Sequence, residues 1–255
     1  MASTFAIPPF SLAVTACALG ALLGLFGAWR NRVRFGDEVL AWAAGGALGA
    51  AVALAAGAAL APRMGAAPAA GSALALAAWA AGSLAGSLFT PALDRAGRIA
   101  PSLASFALKW LQSPFFTSTG LLAALLLSTW GRHVRLARGT LFIEVGRGGA
   151  ALTLGAVIWT RGGLFDDRGR VPDLWVRHEA FHARTVAALG EWGFYPAYVL
   201  AGALVALSRR GPWNAVTTAG RGNPFEKTAY SAHQAHAAAL GPPPARWTVA
   251  REGGR

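Results

Sequence analysis

The stretch LWVRHEAFHARTV, residues 174–186, sets His178 and His182 four residues apart and places Glu179 directly after the first of them. Pro172 and Asp173 ahead of it read as a helix start and Gly190 beyond it as a helix stop, so the spacing predicts a single helix of about four turns. Residues four apart share one face of a helix, so both imidazoles reach a single ion. Glu179, turned about 100° from His178, reaches a water beside that ion without ligating it. A catalytic zinc needs a third protein ligand besides this pair, and the rest of the chain has to supply it.

Outward from this helix the composition is uneven. Of 255 residues, 55% are hydrophobic and 13% charged, too apolar a balance for an ordinary soluble protein. Residues 1–131 are Ala, Leu and Gly in long blocks and read as a transmembrane helical domain, whereas residues 132–255 hold most of the Arg, Asp, Glu and His. The single cysteine, Cys17, rules out an internal disulfide and a cysteine zinc cluster, so a metal must be held by His and carboxylates. A formal charge of +12 would suggest nucleic acid in a soluble chain. Here the basic residues flank apolar blocks and fill the polar half, which points to the anionic headgroups of a lipid bilayer and not to nucleic acid.

A spanning helix needs ~20 mostly apolar residues. Stretches 9–29, 39–61 and 70–89 meet this, and a fourth, 115–130, is shorter but uncharged and Leu-rich, giving about four spans. No Lys or Arg precedes the first, which reads as a retained anchor. Gly20/Gly24, Gly45/Gly49 and Gly82/Gly86 predict close backbone packing, within the chain or between copies in a homo-oligomer. Residues 91–114, PALDRAGRIAPSLASFALKWLQSP, scatter Asp94, Arg95, Arg98 and Lys109 among apolar residues and read as an interfacial amphipathic helix. Arg30, Arg32 and Arg34 after the first span and Arg132, Arg135 and Arg138 after the fourth all favour the cytoplasm. With four spans these flanks fall on opposite sides, so one preference loses or the count is odd. The reading leans to a cytoplasmic polar half in a multi-pass protein of the bacterial cell membrane.

In the polar half, TLFIEV (140–145) and ALTLGAVIW (151–159), joined by GRGGA, read as a β-hairpin. The third ligand is sought downstream. Glu191 follows the Gly190 stop too closely to fold back. Glu226, in RGNPFEKTAYSAHQAH, lies beyond a second apolar helix, GFYPAYVLAGALVAL, which returns the chain to the site. Glu226 also suits a capping box, with Asn223 as N-cap and Pro224 at the first helical position. Spacing alone leaves ligand and cap equal. His233, seven residues on along the same face, is the rival ligand, and His236 a weaker one near the Gly241 stop.

The order ALTLG-x-V-I, R-H-E-x-x-H-x-R, W-G-F-Y-P-A-Y-x-L-A and N-P-F-E-x-x-A-Y, over residues 148–232, resembles a family of largely uncharacterised bacterial HExxH proteins similar to gluzincin metallopeptidases. The resemblance implies a mainly α fold in which the membrane helices precede a small α+β zincin-like domain. It implies Zn²⁺ held by His178, His182 and Glu226, with Glu179 as general base. By the same analogy the strand before the active helix, ALTLGAVIW, binds extended peptide, and Tyr195, Tyr198 or Tyr230 steadies an oxyanion. The expected activity is membrane-anchored, zinc-dependent hydrolysis of peptide bonds through a Glu-activated water. The alternative is an inactive membrane scaffold or regulator with a structural or vestigial metal site. An intramembrane site is disfavoured, since Arg177, Arg184 and the loop DDRGR are costly in hydrocarbon.

Overall fold

A computed structural model describes residues 9–96, 98–127, 133–145, 151–160, 165, 171–208 and 222–231. The chain is mainly helical with one small sheet. Its elements run α1 (Pro9–Arg30), α2 (Gly36–Leu60), a 3₁₀ turn (Ala61–Met64), α3 (Pro68–Ala96), α4 (Ile99–Gln112), α5 (Pro114–Leu127), β1 (Val134–Ala137), β2 (Thr140–Glu144), β3 (Ala151–Leu154), β4 (Val157–Thr160), α6 (Asp173–Leu189) and α7 (Glu191–Ser208). A last helix, α8, covers 224–231.

Helices α1, α2 and α3 are long and apolar enough to cross a membrane. They pack antiparallel, and their glycines make the close approaches. Gly20 lies on the Gly46 backbone, Gly24 on Trp42, and Gly57 on Gly71, at positions where any Cβ would collide. The other glycines of the expected pairs serve different neighbours. Gly45 and Gly49 receive Leu189 and Gly193, Gly82 receives Gln112, and Gly86 receives Ala187. The small-residue faces are thus covered within the chain.

Two expectations concern the next segment. The stretch 115–130 forms α5 of 14 residues among the described residues, about 21 Å at ~1.5 Å per residue and short of a ~30 Å hydrocarbon core. Among the described residues three helices have the length and composition to span. Of the stretch read as an interfacial helix, residues 91–96 continue α3 and Ile99–Gln112 forms a separate amphipathic helix. Its polarity is inverted. Ser102, Ser105 and Lys109 point inward, while Ile99 and Leu111 are 79% and 73% exposed. The reason is Asp94 on α3, whose carboxylate accepts from Ser105 Oγ at 2.6 Å and from Lys109 Nζ at 3.0 Å. A buried charge must be paired, so α4 turns its polar side to α3.

The sheet also departs from the expected hairpin. Strand order is β1-β2-β4-β3, with β2 parallel to β4 and antiparallel pairing at both outer positions. Segment 151–159 folds on itself instead of pairing as one strand with 140–145. Gly155, at φ 60°, opens a two-residue turn of the type that takes glycine first, and Arg138 and Gly139, at φ 50° and 63°, make the other turn. One sheet face packs Ile143 and Val157 on Ala124 of α5, and the other packs Phe142 and Ile158 on Val176 of α6.

Helix α6 starts and stops where the sequence places it, with Gly190 at φ 72°. Its second half enters the helical bundle. Val186 to Leu189 are fully buried, the Ala187 carbonyl meets Gly86, Ser83 Oγ donates to the Ala188 carbonyl, and Trp79 Nε1 donates to the Leu189 carbonyl at 3.2 Å.

Candidate metal centre

On α6, His178 and His182 turn their Nε2 atoms toward each other at 3.3 Å. Helix α7 leaves the Gly190 corner and climbs back beside α2, and α8 then brings Glu226 onto the pair. Glu226 Oε2 lies 3.3 Å from each Nε2. All three side chains are buried and form a cluster that could hold a metal ion. The spacing fits one. A tetrahedral ion bound at ~2.0–2.1 Å holds its ligand atoms about 3.3–3.4 Å apart. Glu226 Oε2 is moreover buried without a hydrogen bond, a condition that costs a carboxylate oxygen dearly unless a cation faces it.

Both carboxylate oxygens of Glu226 have partners outside a capping box. Asn223 caps α8 alone, its Oδ1 accepting from Phe225 N at 3.1 Å. Glu226 sends Oε1 to the Tyr198 hydroxyl, which donates at 2.6 Å, and Oε2 to the histidines. Asn223 Nδ2 donates to the Tyr198 carbonyl at 3.2 Å, so α7 fixes both ends of the NPFE segment.

Glu179 is buried and stands outside this triangle. Its Oε2 accepts from Thr153 Oγ1 at 2.8 Å, which holds the carboxylate between the cluster and β3. The three tyrosines divide. Tyr198 is committed to Glu226, Tyr195 bonds the β3 edge, and the Tyr230 ring packs at 4.7 Å on the His178 ring. Glu191 is buried far from the cluster and caps α5, accepting from Phe115 N and Phe116 N at 3.3 and 3.0 Å. His133 bonds Glu144. His233 and His236 lie outside the described residues.

The first turn of α2 supports α8, the helix that carries Glu226. Glu38, fully buried, accepts from Thr228 N at 3.1 Å and Thr228 Oγ1 at 2.6 Å, and Asp37 pairs with Lys227. These contacts act one step further out than groups bonded to a ligand itself, whose loss typically changes metal affinity by ~10–100-fold. Thr228→Val, which removes one of the two bonds and keeps the shape, is expected to weaken Zn²⁺ binding about tenfold at unchanged stoichiometry. Competition titration against a chromophoric chelator measures this, and wild-type affinity in the variant contradicts it.

Charge sets a pH dependence. Burial alone would lower the His182 pKa, but the Glu226 carboxylate against it, aided by Glu179 and Glu38, lifts it to about 9. Burial would raise the Glu226 carboxyl, and the two histidines overcome this and hold it well below the usual carboxylate range. In the metal-free chain the His182–Glu226 pair therefore stabilises the fold fully between the ordinary carboxyl value of 4.5 and the ordinary histidine value of 6.5, loses that contribution as pH rises through about 9, and weakens as pH falls below 4.5. An incoming ion displaces the His182 proton. Zn²⁺ affinity should accordingly climb about tenfold per pH unit from pH 6 to 8, measured by the same titration, and a flat profile would contradict the arrangement.

No protein family, curated protein or solved structure matches this chain. The functional reading therefore stands on the geometry. Three members of the site escape sequence reasoning: Glu38, Thr153 and the bond from Tyr198 to Glu226. Glu38 carries a signal, being an ionisable residue at the head of an apolar helix. Thr153 is the one polar side chain in ALTL. Neither names its partner.

Proposed function

We propose that this protein is a zinc-dependent metallopeptidase of the bacterial cell membrane, similar to the gluzincins, with Glu179 as general base. The observation that supports it most is the buried His178–His182–Glu226 triangle, with a separate carboxylate held beside it against a strand edge. Two imidazoles and one carboxylate in this spacing suit Zn²⁺. When bound there, the ion acidifies a water and polarises a carbonyl oxygen. Glu179, oriented by Thr153, takes the proton of the attacking water and returns it to the leaving amine. Strand β3, at the end of the sheet order, offers the polypeptide edge on which an extended substrate adds as a further strand.

Three spans supply a consistent orientation. Arg30, Arg32 and Arg34 at the end of α1 and Arg95 and Arg98 at the end of α3 then share one side of the bilayer, and of the described residues joining these three helices Arg63 is on the other. The positive side is cytoplasmic, and the His–Glu cluster, bonded through α8 to the first turn of α2, is on that side.

The test is cleavage of a fluorogenic peptide library by detergent-purified protein. Hydrolysis that a chelator stops and Zn²⁺ restores supports the reading. Hydrolysis that survives the chelator contradicts the zinc-dependent reading, and none from a zinc-loaded protein leaves the inactive scaffold or regulator as the better account.

A further inference from the structure

Resting on the peptidase reading, we infer that the substrate is a membrane-embedded polypeptide, whose unwound segment reaches the β3 edge from within the bilayer. The first support is depth. Residues 79–86 are the middle of the 29-residue helix α3, and against them lie both the α6–α7 corner, through Trp79 and the Leu189 carbonyl, and the α4–α5 corner, through Gln112 and Gly82. The two corners are joined, since Glu191 accepts from Ser113 Oγ at 3.0 Å. The β3–β4 turn is fastened at the same level. Ala156 N donates to Thr117 Oγ1 at 3.0 Å and Gly155 N to the Tyr195 hydroxyl at 2.5 Å. If α3 crosses the bilayer, this turn is near the hydrocarbon centre, and β3 climbs from it to Thr153 beside Glu179.

The second support is the state of the edge. In hydrocarbon an open strand edge cannot leave its backbone groups unpaired. Tyr195 covers part of this one: its hydroxyl accepts from Gly155 N and donates to the Thr153 carbonyl at 3.2 Å. The phenol occupies hydrogen-bonding positions that an added strand would use. Among the described residues no strand lies beyond β3.

The third support is what borders the edge. Leu152, next to Thr153, is 54% exposed, and the two helices that hold the β3–β4 turn, α5 and α7, carry exposed apolar side chains of their own, among them the stacked Phe115 and Trp192. These walls suit lipid and not water. An extended segment of a membrane-anchored polypeptide supplies backbone partners for the edge in a medium that has none, together with apolar side chains for the walls. The two arginines of α6 that weigh against such a site each face a carboxylate, Arg184 the buried Asp94 at 3.6 Å and Arg177, on the exposed face, Asp173 at 2.6 Å.

Two measurements on the full chain in vesicles test this independently of turnover. With Cys17→Ser as background, a fluorophore on Leu152→Cys should be quenched by mid-chain nitroxide lipid to at least half the extent seen for Leu22→Cys on α1. Quenching as weak as for Arg34→Cys in the α1–α2 loop overturns the inference. In Glu179→Gln protein, a photo-crosslinker at Leu152 should capture a single-span peptide in the same vesicles at least tenfold more than a soluble peptide of equal reactive sequence. Equal or reversed capture overturns it. Failure of the peptidase reading registers elsewhere, as absent or chelator-insensitive hydrolysis, and alters neither measurement.

Discussion

Glu179→Gln should lose peptide hydrolysis by about 10²–10⁴-fold, the usual worth of a positioned acid–base group, while binding as much Zn²⁺ as the wild type. The two halves of this expectation come from one geometric fact. Glu179 Oε2 is held by Thr153 Oγ1 at 2.8 Å, whereas the atoms that close on one another at 3.3 Å belong to His178, His182 and Glu226. Glutamine keeps an oxygen for Thr153 and fills the same volume, so the site's shape survives. What it lacks is basicity. Parallel assay of zinc content and of hydrolysis checks the prediction. Full activity in the variant would remove Glu179 from the chemistry, and lost zinc would make it a ligand.

The second large effect concerns the ion cluster under α6. Asp94 is the common anion of Lys109, at 3.0 Å, and Arg184, at 3.6 Å, and Lys109 also donates to the Arg138 carbonyl at 2.7 Å. Asp94 and Lys109 are fully buried. Removing one partner from such a pair leaves an uncompensated charge, at a cost on the order of 3–5 kcal/mol. Asp94→Ala should therefore lower the melting temperature of detergent-purified protein by roughly 10 °C. Asp94→Leu combined with Lys109→Met should recover much of it, because the pair is then replaced by packed apolar groups. The partly exposed Arg184, at 22%, can turn its charge outward. A melting temperature for Asp94→Ala within about 2 °C of wild type would contradict the role of this cluster, since ~1 kcal/mol moves a chain of this size by ~2–4 °C.

The helix of the opening stretch was legible because its signals are local. Pro172 and Asp173, Gly190, and the four-residue spacing of His178 and His182 act within a few turns, and α6 follows them from Asp173 to Leu189. The three long apolar helices were legible for a similar reason, since length and composition suffice. Strand pairing is a different matter. It depends on Gly155 breaking ALTLGAVIW into two strands and on β2 meeting β4 in parallel, choices made by contacts distant in sequence. The inversion of α4 has the same origin. An amphipathic pattern states that one face is polar, not which way it turns, and Asp94 settled that. For Glu226, spacing could not separate ligand from cap because both demand the same residue at the same position. In the fold Tyr198 takes one carboxylate oxygen and the other faces the histidines, a placement that spacing cannot foretell.

The central claim is that His178, His182 and Glu226 hold one metal ion, and metal analysis of detergent-purified protein tests it most directly. Wild type, loaded with Zn²⁺ and passed over a weak chelator, should retain one equivalent per chain, and His182→Ala and Glu226→Ala should each retain almost none while keeping their helical circular dichroism. Wild type emerging without metal, or Glu226→Ala keeping a full equivalent, would contradict the account.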